Sequence, residues 1–156
     1  MRIGFGYDVH AFAEGRELWL GGIRIDYPYG LLGHSDADVL IHAICDALLG
    51  AANMRDVGFH FPDTLAEYKN IDSKLLLQKT MYLLREAGYE LGNIDATIVA
   101  EQPKLSPYID DMKQALAEAM KAPVSDISLK ATTTENLGFI GRREGIAVYA
   151  IALINK

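Results

Sequence analysis

The chain has 156 residues, of which 50% are hydrophobic and 23% charged, proportions typical of one globular domain with a sizeable core. Its formal net charge of −6 argues against nucleic acid or an anionic membrane surface as a general partner. Residues 1–10 lack the pattern of a signal peptide, and no window reaches the ~18 apolar residues of a membrane span. We therefore expect a single domain over residues 1–156, in the cytoplasm.

In chain order, the sequence predicts a strand (2–9), a hairpin (17–25), a helix (35–49), a loop (53–71) and a second helix (73–87). A strand (94–100), a third helix (106–120), a strand (127–131), a loop (132–141) and a final strand (145–154) follow. The turn pair Gly21-Gly22 marks the hairpin. Ser35 or Asp36 is the predicted cap of the first helix, and Gly50 its stop.

Three helices and about five strands in this order predict an α/β fold, an α+β sandwich with a single mixed β-sheet and helices on one face. The final strand, residues 145–154, is apolar on both sides. Two interpretations follow: helices cover one side and another subunit the other, or the strand is central in the sheet. A bare sheet face would favour oligomerisation.

Cys45 lies inside the first predicted helix and is the only cysteine. It excludes a disulfide within the chain and fits a reducing compartment. A small buried residue is the favoured interpretation, and a reactive thiol is the alternative.

Asp8, His10 and His42 are candidate metal ligands. Asp8 and His10 are two residues apart, so in an extended strand their side chains point to the same side. One carboxylate and two imidazoles leave one tetrahedral position open, the usual arrangement of a catalytic zinc site. A hydrogen-bonded core residue is the alternative for His42.

The first helix carries Asp38, His42 and Asp46 at intervals of four, which places them in one stripe on an otherwise apolar helix. A buried polar stripe needs partners. We expect Asp38 or Asp46 to accept the other ring N–H of His42 and orient it. For Asp38, a first-turn acid that favours the helix dipole is the alternative.

Further polar residues lie where a phosphate could bind. His34 and Ser35 lie at the entry to the first helix, where backbone N–H groups favour anions. Thr132 to Glu135 follow a strand; they offer hydroxyls to a phosphate and a carboxylate to a hard cation such as Mg²⁺. The alternatives are a plain loop histidine and a β-edge with a solvated acid. Asp56 and Asp63, taken alone, are typical turn formers.

Together these motifs resemble the 2-C-methyl-D-erythritol 2,4-cyclodiphosphate synthase family of the non-mevalonate isoprenoid pathway, from end to end. The resemblance rests on Gly6-Tyr7-Asp8-Val9-His10, Gly33-His34-Ser35-Asp36-Ala37-Asp38-Val39 with His42, Phe61-Pro62-Asp63-Thr64, Ala100-Glu101-Gln102-Pro103-Lys104, Lys130-Ala131-Thr132-Thr133-Thr134-Glu135, Leu137-Gly138-Phe139 and Gly141-Arg142. Tyr7, Leu65 and Tyr149 depart from the residues common in that family.

The resemblance implies a bacterial lyase that converts 4-diphosphocytidyl-2-C-methyl-D-erythritol 2-phosphate to the cyclic diphosphate and releases CMP. It implies a homotrimer whose sheets pack around a three-fold axis, with active sites between subunits and an axial cavity that can hold an isoprenoid diphosphate. The implied metals are one Zn²⁺ per chain and Mg²⁺ or Mn²⁺; no nucleic acid and no membrane are expected as partners.

The resemblance also implies a role for each matching residue. Asp8, His10 and His42 would hold zinc and Glu135 magnesium, while His34 and Thr133 would stabilise the transition state. Asp63 would hold the erythritol hydroxyls and Asp56 the ribose. The remaining implied substrate contacts are Ser35, Gly58, Phe61, Ala100, Lys104, Leu105, Ser106, Ala131, Thr132, and, at the axial cavity, Phe139 and Arg142.

Two other functions fit parts of the sequence. One is a zinc-dependent nucleotide-diphosphate phosphoesterase that uses metal-bound water, and its open-chain product would distinguish it. The other is a non-enzymatic trimer with structural zinc that binds isoprenoid diphosphates.

Overall fold

A computed structural model of the chain describes residues 1–62, 65 and 70–156. In these ranges the strands β1 to β7 span Arg2–Ala13, Leu18–Leu20, Ile23–Ile25, Gly30–Leu31, Glu90–Val99, Ile127–Thr132 and Gly145–Asn155. The helices α1 to α5 span Val39–Ala51, Val57–His60, Ser73–Glu86, Ile109–Met120 and Gly138–Gly141. No described helix has both the length and the apolar character needed to cross a membrane.

Five strands form one mixed sheet in the order β4-β1-β7-β5-β6, and β2 pairs with β3 as a separate hairpin. Only the β5–β6 pair is parallel among the described strands. The predicted mixed-sheet α+β fold is therefore confirmed. The apolar final strand β7 is central, between β1 and β5; α1 covers one of its sides, and Tyr149 and Ile151 on the other side are exposed.

The two faces of the sheet have different surroundings. On one face α1 packs against β1 and β7, α4 packs against β6, and α3 packs against both helices. The opposite face, called the bare sheet face below, carries the exposed apolar side chains of Ile3, Phe5, Tyr7, Val9, Tyr149 and Ile151. At one end of this face Ile140 of α5 packs on Val99 and Ala147, so the helices are not strictly confined to one side.

Two glycines let α1 approach β1 backbone to backbone. A β-carbon on Gly4 would lie 1.8 Å from the carbonyl oxygen of Ala47, and one on Gly6 would lie 1.9 Å from that of Ala43. Only glycine permits this approach. From Gly4 to Gly6 along β1, the contacted residue of α1 changes from Ala47 to Ala43, which is nearer the N-terminus of the helix. The next inward-facing residues of β1 therefore reach the first turn of α1.

The residue that caps the N-terminus of α1 is not the predicted one. Asp38, rather than Ser35 or Asp36, is the cap, and its carboxylate accepts the N–H of Ile41 at 3.1 Å. The helix cannot extend further back because Ala37 has a φ of 60°, which lies in the left-handed region. At the other end Gly50 lies inside α1 rather than stopping it. The predicted loops 53–71 and 132–141 contain α2 and α5.

Candidate metal centre

Asp8, His10 and His42 converge between β1 and the first turn of α1. Asp8 Oδ2 lies 2.9 Å from His10 Nε2 and 3.2 Å from His42 Nδ1. His10 Nε2 lies 3.4 Å from His42 Nδ1. In the described part of the chain, these residues form the one group of three or more His, Cys, Asp or Glu side chains close enough to share an ion.

The spacing of the three atoms fits a metal ion. A tetrahedral zinc with bonds of about 2.0–2.1 Å has ligand–ligand edges of roughly 3.3 Å, and the three observed distances lie close to that value. The three side chains are 15–26% exposed, so one side of the group remains open. The donor set, two imidazoles and one carboxylate, is that of catalytic zinc sites.

The protein shifts the pKa values within this group. Burial raises the pKa of Asp8, but hydrogen bonds with His10 and His42 outweigh it and hold that pKa below its ordinary value. Burial lowers the pKa of His10, but its hydrogen bond and attraction to Asp8 raise that pKa overall. In the metal-free protein His10 therefore favours its protonated form, with the proton in the hydrogen bond to Asp8. A bound metal cation would displace that proton.

Each histidine of the metal group has a hydrogen-bond partner on its outer ring nitrogen. His10 Nδ1–H donates to the carbonyl oxygen of Leu32, so a metal ion that displaces the proton shared with Asp8 would meet the Nε2 lone pair. His42 Nε2 lies 3.1 Å from the hydroxyl of Ser73 and 3.2 Å from that of Ser35. Both histidines thus have a partner on the ring nitrogen that faces away from the group.

Neither predicted carboxylate orients His42. Asp38 accepts the N–H groups of Gly21 and Gly22 at 2.9 and 2.7 Å, besides that of Ile41. Asp46 accepts the N–H of Val57 at 2.7 Å. Both ring nitrogens of His42 have other partners. The prediction was wrong because a helical stripe sets spacing along α1 but not which neighbouring segment packs on it.

A cleft of about 200 Å³ opens beside the metal group. Its lining includes the predicted substrate residues His34, Ser35, Gly58 and Phe61. Ser35 is 7% exposed, and its hydroxyl also accepts the N–H of Ala37 at 3.0 Å. Asp56 caps α2 through the N–H of Phe59. Asp63 lies outside the described residues.

A second cleft, of about 410 Å³, lies at the ends of β5 and β6. It brings together the other predicted contacts, Ala100, Lys104, Leu105, Ser106, Ala131, Thr132 and Thr133. Glu101 also lines it and accepts the N–H groups of Thr134 and Asn136 at 2.9 and 3.1 Å. Glu101 therefore holds the loop that carries Thr133 and Glu135.

Glu135 contacts Thr133, a residue that lines the second cleft, and is not one of the three side chains of the metal group. Its carboxylate accepts the hydroxyl of Thr133 at 3.1 Å. His10 pairs with Ile146, whose neighbour Ala147 pairs with Val99, and Val99 pairs with Thr132. Three strand spacings therefore separate His10 from Thr132, about 14 Å at ~4.8 Å per spacing.

Phe139 and Arg142 lie on and just after α5, near the bare sheet face. Phe139 is 38% exposed. The guanidinium of Arg142 contacts the carboxylate of Glu144 at 2.7 and 3.3 Å. Arg142 thus has an anionic partner within its own chain.

Three residues around the site were not predicted: Ser73, Asp36 and Glu101. Ser73 was interpreted only as the start of a helix, and Asp36 only as a cap. Their contacts join segments far apart in sequence, so spacing along the chain carries no signal for them. Glu101 occurs in one of the motifs named above, but no residue near it in sequence indicates that its carboxylate accepts the N–H groups of Thr134 and Asn136.

Comparison with known proteins identifies the family of the chain and agrees with its fold. The family model described as the YgbB family matches residues 1–155. A curated relative from Parabacteroides distasonis, named 2-C-methyl-D-erythritol 2,4-cyclodiphosphate synthase, is 72% identical over 156 residues, covering 100% of this chain and 97% of the relative.

Solved structures share the same architecture. The bifunctional IspDF from Campylobacter jejuni has a TM-score of 0.94 at 44% identity; the match covers 98% of this chain and 42% of that longer one. A 2C-methyl-D-erythritol-2,4-cyclodiphosphate synthase in its CDP-bound form has a TM-score of 0.90 at 34% identity, with coverage of 99% and 100%. These names support the synthase interpretation and not the phosphoesterase. The chain belongs to the YgbB family.

Proposed function

We propose that this chain converts 4-diphosphocytidyl-2-C-methyl-D-erythritol 2-phosphate to 2-C-methyl-D-erythritol 2,4-cyclodiphosphate and releases CMP. The observation that carries the proposal is the convergence of Asp8, His10 and His42 in a chain whose close relatives bear the synthase name. In this reaction an oxygen of the 2-phosphate bonds to the β-phosphorus of the diphosphate. The bond from that phosphorus to the bridging oxygen breaks, and CMP leaves with the electron pair.

The metal of the first cleft is proposed to be one Zn²⁺ per chain. Asp8 Oδ2, His10 Nε2 and His42 Nδ1 would hold it and leave one position open. Bound there, it would supply positive charge that orients and polarises phosphate oxygens. Glu135, with the diphosphate, would hold Mg²⁺ or Mn²⁺, both of which favour oxygen ligands.

The chain's own groups position the reactants and oppose the build-up of negative charge. We assign His34, exposed at the mouth of the first cleft, and Thr133 of the second cleft to the reacting phosphates. Thr132 and Lys104 would contact the same phosphates. Ser35 would do so through its main chain, because its hydroxyl faces His42 and Ala37.

The second cleft is proposed to bind the cytidine diphosphate part of the substrate. Its lining from Ala100 to Ser106 has few side chains suited to reading a base edge, so backbone groups would read the cytosine. The CDP-bound relative supports a ligand of this class. Gly58, Phe61 and Asp56 would complete the site from the first cleft, and Asp63 is proposed for the erythritol hydroxyls.

We further propose that the site is shared between neighbouring subunits of a homotrimer. In one chain β7 separates β1, which carries Asp8 and His10, from the second cleft at the ends of β5 and β6. The bare sheet face exposes apolar side chains, a feature that marks subunit interfaces. Phe139 and Arg142 would line an axial cavity that takes an isoprenoid diphosphate. Each chain would be a single domain acting in the bacterial cytoplasm, where its one free thiol, Cys45, is compatible with reducing conditions.

Phosphorus NMR tests the reaction directly. Incubation of the cytidine substrate with the protein, Zn²⁺ and Mg²⁺ should replace the substrate signals with two mutually coupled cyclic diphosphate resonances and one CMP resonance. His42→Ala protein should leave the substrate intact. An open-chain phosphate product would instead support the phosphoesterase alternative, and unchanged substrate with zinc-loaded wild-type protein would reject both.

A further inference from the structure

The buried hydroxyl of Ser73 has no part in the function described above. Ser73 is the first residue of α3 and is 0% exposed. A buried hydroxyl without partners is costly, so its contacts indicate why a serine lies here. Ser73 Oγ is 3.1 Å from His42 Nε2, on the side of the imidazole that faces away from Asp8 and His10.

The proton of this hydroxyl is committed to Asp36. Ser73 Oγ–H donates to Asp36 Oδ1, and the backbone N–H of Ser73 donates to Asp36 Oδ2 at 2.9 Å. A hydroxyl has one proton to donate and two lone pairs. With the proton on the carboxylate side, a lone pair of Ser73 Oγ is available to His42, and His42 Nε2 must therefore be the donor.

The hydroxyl of Ser35 has a different set of contacts. It accepts the N–H of Ala37 at 3.0 Å, and it lies 3.2 Å from His42 Nε2 and 3.5 Å from Ser73 Oγ. No carboxylate contact of Ser35 occurs among the described residues. Of the two serines, only Ser73 thus connects the imidazole to a negative charge, which strengthens the hydrogen bond that Ser73 accepts.

We propose that Ser73 and Asp36 are positioning residues for the metal centre, acting through a chain of hydrogen bonds from His42 Nε2–H to Ser73 and from Ser73 to Asp36. The chain holds His42 in the tautomer whose proton is on Nε2, so that the Nδ1 lone pair points at the shared metal position. This inference rests on the proposed zinc site.

The arrangement also fixes the imidazole in space. His42 lies on α1, Ser73 on α3 and Asp36 in the loop before α1, so the hydrogen bonds join three segments that meet behind the ligand. His10 achieves the same result with a single backbone carbonyl, that of Leu32. Partners that orient a ligand histidine typically contribute about 10- to 100-fold to metal affinity.

Zinc affinity of the metal-free full-length protein, measured by competition with a chromogenic chelator, tests the inference without any assay of activity. Ser73→Ala should bind zinc about 10- to 100-fold more weakly than wild type. Ser73→Thr, which keeps the hydroxyl, should recover most of the affinity. Asp36→Asn should show an intermediate loss, because its amide oxygen still accepts the hydroxyl proton.

Thr80→Ala is the matched control, because Thr80 is a second fully buried hydroxyl residue of α3 that does not contact His42. It should bind zinc within about twofold of wild type if the loss in Ser73→Ala comes from losing the group that orients the ligand histidine. Thermal melting of each metal-free variant identifies those that fold. If Ser73→Ala does not fold, Asp36→Asn takes its place in the comparison with Thr80→Ala.

The outcomes separate this inference from the proposed function. Ser73→Ala or Asp36→Asn protein that folds and keeps wild-type zinc affinity would overturn the inference and leave the zinc site intact. A loss equal to that of Thr80→Ala would overturn it too, since any buried hydroxyl would then have the same effect. Wild-type protein that fails to bind zinc would overturn the metal assignment itself.

Discussion

The backbone of Gly6 packs directly on the backbone of Ala43: a β-carbon on Gly6 would lie 1.9 Å from the carbonyl oxygen of Ala43. This contact sets the distance between β1 and α1. Asp8 and His10 follow Gly6 on the same side of β1, and His42 is adjacent to Ala43 in α1. The close approach of the two elements therefore determines whether the three ligand atoms can share one ion.

Gly6→Ala should separate α1 from β1, because neither backbone can yield to a methyl group without a shift. We expect the free energy of unfolding to fall by about 1–3 kcal/mol, with weaker zinc binding. Gly50→Ala is the control, since its β-carbon would be 4.0 Å from the nearest atom; it should raise helix stability by up to ~1 kcal/mol. Urea unfolding and chelator competition measure both effects, and unchanged zinc affinity in Gly6→Ala would contradict this account.

His42→Ala should reduce bound zinc from about one ion per chain to near zero and should abolish turnover, because two ligands remain of the three. The helix should persist, since alanine is the better helix former. His60→Ala is the matched histidine control: its Nε2 contacts the carbonyl of Met54, so zinc should stay bound. Elemental analysis of the dialysed proteins measures the zinc bound per chain. Full zinc occupancy in His42→Ala would refute the ligand assignment.

Glu101→Ala should lower the turnover number roughly 10- to 100-fold by releasing the loop that carries Thr133 and Glu135 from its position. Zinc content should not change, because the loop belongs to the other cleft. The N–H groups of Asn136 and Thr134 hold the pKa of Glu101 below its ordinary value. In wild-type protein the Glu101 carboxylate should therefore stay ionised, and keep its hydrogen bonds to the loop, down to mildly acidic pH. Glu118→Ala, an exposed acid of α4, is the control. Equal kinetics in both variants would remove Glu101 from the mechanism.

Cys45 should be inert towards thiol reagents in the folded protein. Burial raises the pKa of this thiol to about 12, and the thiolate is the reactive form. Absorbance with a chromogenic disulfide reagent should show no reaction in buffer and one thiol per chain in denaturant. Rapid labelling of native protein would instead favour the reactive-thiol interpretation.

The wild-type protein should sediment at about three times its chain mass of 17.2 kDa. Ile151→Lys should shift it towards the monomer, because Ile151 lies on the bare sheet face at 48% exposure and a buried unpaired charge is costly. Leu75→Lys is the control, since Leu75 is similarly exposed, at 46%, but lies on α3. A monomeric wild-type protein at micromolar concentration would contradict the shared site.

The sequence alone determined the elements whose cause is local. Asp8 and His10 share a side because strand side chains alternate with a period of two, and the Gly21-Gly22 turn produces the β2–β3 hairpin through its backbone freedom. The final strand is apolar on both sides, and the central position offered as one interpretation of that pattern is the one it takes between β1 and β5. The residue pattern indicated the same three candidate ligands that the fold brings together, and the resemblance to the synthase family implies the same set.

Only the tertiary structure decided which groups meet across long separations. Asp38, expected to orient His42, instead caps α1 and accepts Gly21 and Gly22, while Ser73 of α3 lies behind the imidazole. Helical periodicity states which side of α1 a residue occupies, but not which segment packs there. That choice follows from the burial of apolar surface and the satisfaction of buried polar groups over the whole fold, and neither can be derived from spacing along the chain.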